Sequence, residues 1–131
     1  MQYLLDTDSC VYAIKREPRV VDRLREHSPE DFGISAVTVA ELWFGAAKSS
    51  WPKQTRESVD AFLVPFDVLP FGAAAAEAYA EARLHLERKG RPIGERDLLI
   101  AATAISLKLT VVTHNVREFS RVPNLRLEDW R

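Results

Sequence analysis

Short apolar runs alternate along the chain with longer stretches of helical spacing. Tyr3-Leu4-Leu5 reads as an internal strand ending at Asp6, and the polar Asp6-Thr7-Asp8-Ser9 offers side-chain oxygens to open a helix. Val11, Ile14, Val21 and Leu24 keep broadly helical spacing, but Pro18 divides that segment into two short helices. Phe32-Gly33-Ile34-Ser35 predicts a second strand, with Ser35 capping a helix that carries Val37, Ala40, Glu41, Phe44 and Ala47. A loop over residues 48–52 leads to a helix over 55–63, and Phe66-Asp67-Val68-Leu69, between two prolines, is the third strand candidate.

The second half continues the alternation. Phe71 to Lys89 is the longest helical candidate, with Ala75, Ala78, Ala82 and Leu86 as its core-facing stripe and Gly90 as its stop. Residues 97–109 are apolar except for Asp97, Thr103, Ser106 and Lys108, as expected of a helix buried on most sides with Asp97 in its first turn. Thr110-Val111-Val112-Thr113 is the clearest β-branched run, and Leu125-Arg126-Leu127 predicts a terminal edge strand near Trp130. Such alternation predicts an α/β fold with a mostly parallel sheet covered on both faces. Ligand chemistry then belongs at the carboxyl ends of the strands.

Composition narrows the class. With 131 residues, 47% of them hydrophobic, and no repeat or low-complexity linker, one domain over 1–131 is expected. Cys10 alone excludes an internal disulfide and a cysteine-rich metal site, and its thiol is expected to be buried. The N-terminus has no signal-peptide pattern and no run is long and apolar enough to span a bilayer, so a soluble cytoplasmic protein is expected. The 18 Lys and Arg against 19 Asp and Glu give a net charge of -1, which excludes nucleic-acid binding by bulk charge. Basic segments at 15–25 and 83–96, each with a local balance of +3, remain able to meet phosphates, although a solvated helix face explains either one.

Three acids stand out by their settings. Asp6 follows a strand, Glu41 is embedded in an otherwise apolar helix, and Asp97 begins a buried helix. Each has an ordinary explanation alone: a turn or cap for Asp6, an ion pair for Glu41, dipole complementarity for Asp97. Gathered at one sheet edge, they would repel one another unless protons or a cation offset the charge, and a hard divalent ion such as Mg²⁺ or Mn²⁺ does so through oxygen. His27, His85 and His114 are too dispersed to favour structural zinc. Asn115 ends the Thr110 strand and could contribute an oxygen or orient water; Thr7, Asp8 and Thr113 are supporting polar positions with equally ordinary turn uses. Such a site suits phosphodiester cleavage, in which the ion polarises phosphate and activates water, and one carboxylate takes a proton. Arg16, Arg96 beside Asp97, and Arg117 are the candidate contacts to substrate phosphates.

Leu4-Leu5-Asp6-Thr7-Asp8, Val39-Ala40-Glu41-Leu42 and the run from Pro92 to Ala102 together resemble a PIN-domain ribonuclease, almost end to end. Val112-Thr113-His114-Asn115-Val116-Arg117-Glu118-Phe119, followed by Val122 to Trp130, looks specifically like the VapC toxins of bacterial type II toxin–antitoxin modules. The resemblance implies a three-layer α/β/α fold and RNA cleavage with Mg²⁺ or Mn²⁺ held by Asp6, Glu41 and Asp97. It places Thr7 and Thr113 around the pocket, with Asp8 where many members have Asn. Asn115 stands where other PIN proteins often carry a further Asp, which weakens the expectation of a second strongly held ion. A VapB-like antitoxin is implied, packing over helices and reaching the acidic pocket, with Trp43, Phe44 and Trp51 as candidates for its groove; core packing explains Trp43 and Phe44 equally well. Homodimers and larger toxin–antitoxin assemblies are likewise implied, and the similar VapC relatives cleave the anticodon stem-loop of initiator tRNA.

Two rivals come from other classes. Asp6-Thr7-Asp8 superficially matches the two acids of a haloacid dehalogenase-like phosphatase, with Asp6 as nucleophile, but no paired acids follow the Val111-Val112 strand and there is little room for a cap. A nonenzymatic regulatory domain would use its carboxylates only to complete an interface or core.

Overall fold

The computed structural model describes residues 1–131. Five strands, β1 (Tyr3–Leu5), β2 (Phe32–Ser35), β3 (Asp67–Leu69), β4 (Thr110–Val112) and β5 (Arg126–Glu128), form one sheet in the order β3-β2-β1-β4-β5. Every pairing is parallel, so the expected mostly parallel sheet is parallel throughout. The connections carry seven α-helices: α1 (Thr7–Ile14), α2 (Pro18–Arg25), α3 (Ala36–Ala47), α4 (Pro52–Leu63), α5 (Ala73–Arg88), α6 (Glu95–Leu107) and α7 (Val116–Phe119).

Side chains alternate across a strand, and this sorts the sheet into two cores. Leu4 and Val111 pack with Ala82 and Leu86 of α5 and Leu98, Ile100, Ala101 and Ala104 of α6. Tyr3, Leu5, Ile34 and Val112 point the other way, against Cys10 of α1, Val39 and Leu42 of α3, and Val59 of α4. Both faces are therefore covered, giving the α/β/α layering. Burial of Cys10 pushes its thiol well above the usual range, with the charge of Asp6 adding to the effect. No helix is long and apolar enough to cross a membrane.

Local chemistry explains where the elements begin and stop. Ser35 caps α3 by accepting the Thr38 N–H at 3.1 Å. α4 begins at Pro52, three residues before the hydrophobic spacing predicts, because proline suits a first helical position. Lys108 turns left-handed at φ 57° and ends α6, leaving Leu109 buried beyond the helix. α7 is a single turn, too short to show a period in the sequence; Phe119, fully buried in the first core, fixes it.

Gly33 sits where β2 meets β3 with no space for a side chain. A Cβ there would lie 2.5 Å from Leu69 Cδ1 and 2.8 Å from Met1 Sδ. Gly33→Ala is expected to lower the stability read from urea unfolding by about 1–3 kcal/mol, since Leu69 must be displaced.

Chain direction places the site. The chain runs outward from β1 through β2 to β3, then returns to β4 on the other side of β1, so the connections leaving β1 and β4 diverge. A crevice opens at such a reversal, at the carboxyl ends of the strands. Asp6, Ser35 and Thr113 all stand at those ends.

Candidate active site

Asp6, the first residue beyond β1, is 3% exposed. Its N–H donates to the Val112 carbonyl at 3.1 Å, and its Oδ1 accepts the Ser9 N–H at 2.8 Å as the cap of α1. Ser9 Oγ donates to the same Val112 carbonyl at 2.9 Å, which ties the ends of β1 and β4 together. Burial pushes the Asp6 carboxyl above its ordinary range; the Thr113 hydroxyl and Ser9 oppose the shift, and the Asp8 charge adds to it.

Glu41 reaches the same crevice from α3. Thr7 Oγ1 donates to its Oε1 at 2.7 Å and also lies 3.2 Å from Thr38 Oγ1. Its other oxygen, Oε2, is 3.5 Å from Arg96 Nη1. Asp97 comes from the first turn of α6, and its carboxyl is pushed up to about 7, by burial first and then by the charges of Glu118, Asp6, Glu41 and Asp8. An open cavity of about 460 Å³ lies between Glu41 and the Gly94–Asp97 turn.

The three acids singled out in the sequence thus meet in one electrostatic field, with Thr7, Thr113 and Asp8 around them. Asn115 stands at the end of β4 beside the crevice: its Nδ2 donates to Glu118 Oε2 at 2.9 Å, and its N–H to Thr113 Oγ1 at 2.9 Å. Glu118 is the functional candidate that the sequence reading passed over. Its Oε1 accepts the Gly94 N–H immediately before α6, and it is the largest single charge acting on Asp97. The signal was there in an acid three residues beyond Asn115, but α7 was not anticipated. Arg16 lines a separate cavity of about 500 Å³ between α1, α2 and α4, and Arg117 is exposed on α7 with no ion pair to the carboxylates. His114 is engaged by Asp129 at 3.1 Å rather than by the acids. Trp43, Phe44 and Trp51 are all exposed, so none of them is a core residue.

The donor set fits a hard divalent cation. Its oxygens are carboxylates, and they stand close enough that the charges of Glu118, Asp6, Glu41 and Asp8 add to burial in raising the Asp97 carboxyl. As the side chains stand, no group of three His, Cys, Asp or Glu is arranged to hold a metal ion, and both oxygens of Glu41 already face Thr7 and Arg96.

A parallel sheet with this reversal and an acidic crevice at its carboxyl edge is the architecture of a nuclease-type α/β domain, and the PIN domain family matches residues 3–125. Ribonuclease VapC2 of Rickettsia felis is 41% identical, covering 99% of this chain and 98% of that protein. The tRNA(fMet)-specific endonuclease VapC of Shigella flexneri is also 41% identical, with the same coverage. Among solved structures, DNA-bound VapBC from Salmonella typhimurium superposes with a TM-score of 0.95 at 38% identity, covering 100% of this chain and 99% of that one. The chain belongs to the PIN-domain family, among its VapC ribonucleases.

Proposed function

We propose that this protein is an endoribonuclease toxin, one domain over 1–131, whose Asp6, Glu41 and Asp97 hold Mg²⁺ or Mn²⁺ and cleave structured RNA. The observation that carries the reading is the crevice at the strand ends, where Glu41 and Asp97 line one cavity and the buried Asp6 lies close enough for its charge to act on Asp97. A divalent ion, when bound, supplies the positive charge that a phosphodiester and an attacking water require. Thr7 fixes Glu41, and Ser9 with Thr113 fixes Asp6, so two of the three carboxylates are oriented before substrate arrives. With its carboxyl pushed up to about 7, Asp97 would have to be ionised to hold a cation with Asp6 and Glu41, so binding would be favoured by rising pH. Asn115 acts through Glu118, and Arg96 stands beside the acids where a substrate phosphate would lie.

The relatives support the rest. Those from Shigella flexneri and Salmonella typhimurium are named tRNA(fMet)-specific endonucleases, which supports initiator tRNA as the substrate, with the anticodon stem-loop as the site that the family resemblance implies. VapBC and FitAB structures at 29–40% identity support a VapB-like antitoxin as the partner, and a toxin homodimer, a larger toxin–antitoxin complex and a cytoplasmic location complete the proposal.

End mapping of total RNA tests the reading. Protein freed of its antitoxin is expected to produce discrete new 5′ ends with Mg²⁺ or Mn²⁺, and none with chelator or as Asp97→Asn. Ends within the initiator tRNA anticodon loop support the finer target, and ends elsewhere replace it. Absence of products from folded, Mn²⁺-bound protein would count against ribonuclease activity.

A further inference from the structure

A second cavity, of about 530 Å³, adjoins the acidic one and shares Glu41 and Arg96 with it. Its lining is unlike that of the acidic crevice. Phe44 presents an aromatic ring that is 62% exposed, and Lys48 holds its Nζ 5.1 Å from the centre of that ring. Val37 and Ala40 add apolar surface, while Arg96 stands at the boundary, 3.5 Å from Glu41.

Gly45 is the independent observation. It lies inside α3 with an ordinary backbone, since the only glycine with positive φ is Gly90. A Cβ on Gly45 would have no atom within 4 Å, so neither packing nor backbone conformation requires glycine there. Glycine is the weakest helix former after proline, so its presence disfavours α3 with no return inside the fold. It does keep this cavity open, because Gly45 forms part of its lining.

Resting on the ribonuclease reading above, we propose that this cavity is a nucleotide subsite. It takes one unpaired nucleotide of the RNA next to the scissile phosphate, the base against Phe44 and its phosphate between Lys48 and Arg96. The aromatic face suits any base, because stacking tolerates sequence. Lys48 and Arg96 outnumber Glu41 in the lining, a balance that complements phosphate rather than an apolar peptide, and the shared wall at Glu41 makes the subsite continuous with the carboxylates. Gly45 leaves this part of the lining free of a side chain. The exposed Phe44, which the sequence offered equally for an antitoxin groove or for the core, therefore serves substrate.

Steady-state cleavage of a labelled RNA hairpin, intact or with an abasic nucleotide at successive loop positions, tests this on the full chain. Phe44→Ala and Gly45→Leu are each expected to raise KM about 10-fold, with kcat held within about twofold, as loss of uniform binding requires. One abasic position should raise KM similarly for the parent and add nothing to Phe44→Ala. Gly45→Leu should also raise Tm, and both variants should bind Mn²⁺ as the parent does; Trp51→Ala should keep the parent KM. Should Gly45→Leu fail to fold, Phe44→Ala with the abasic series decides alone. Parent-like KM in both variants overturns the subsite while leaving the ribonuclease intact, as does loss of antitoxin binding with unchanged KM. A Mn²⁺-bound parent that cleaves no RNA overturns both readings.

Discussion

Asp97→Asn is expected to lower RNA cleavage by at least about 10²-fold and, at pH 8, to raise the stability of the ion-free protein. The two effects share one cause. In the folded chain, burial and the charges of Glu118, Asp6, Glu41 and Asp8 push the Asp97 carboxyl from 3.8 up to about 7. The folded state therefore holds more protons than the unfolded state between these values, and stability falls as pH rises through that window. The contribution is fully present below about pH 4 and gone above about pH 7, where the charge must be carried unpaired. Asparagine never carries it. At pH 8 the variant is expected to exceed the parent by about 2 kcal/mol, half of the full displacement because the carboxyl keeps contact with water. The difference should shrink towards pH 5 in urea titrations. Mn²⁺ should close the gap, since an ion at a hundred times its Kd stabilises the parent by about 2.7 kcal/mol and the weakened site by less. A variant less stable than the parent at pH 8 without metal would show that Asp97 is a structural acid.

Phe119→Ala is expected to cost about 3–5 kcal/mol of stability and to weaken Mn²⁺ binding in the protein that remains folded. One helical turn has no independent stability, so α7 depends on its anchor. Phe119 is 0% exposed among Leu4, Leu98, Val111 and Val122. Its neighbour Glu118 receives the Gly94 N–H, and Gly94 opens the helix that carries Asp97. Loss of the ring therefore removes core packing and also loosens the turn before Asp97. Urea unfolding gives the first effect, and calorimetric Mn²⁺ titration of the folded variant at low temperature gives the second. Glu118→Gln is the comparison that separates them: it keeps Phe119 and should retain most of the stability. Parent-like Mn²⁺ affinity in folded Phe119→Ala would disconnect α7 from the site.

Elements with long or strongly patterned signals were legible in the residues. The β-branched Thr110–Val112 run, the Ser35 cap and the apolar α6 all lie where periodicity and capping place them, because each signal is local. Edges shifted where a single residue decides the boundary, as at Pro52 and Lys108. α7 left no trace because one turn has no period, and with it Glu118 was missed. Asp6, Glu41 and Asp97 were visible as acids in unusual settings, each explicable alone.

The sequence by itself determined the alternation of strands and helices, a core covering both sheet faces, and the acids that could serve a cation. These follow from side-chain alternation, helical spacing and charge, which act over a few residues. Only the tertiary structure decided which acids face one another, that Asn115 serves Glu118 and Arg96 serves Glu41, and that Gly45 keeps a cavity open beside them. Asn115 and Glu118 are three positions apart, but the other pairings join residues dozens of positions apart. They depend on strand order and on the packing of α3, α6 and α7 around β1 and β4, and no local pattern encodes that arrangement.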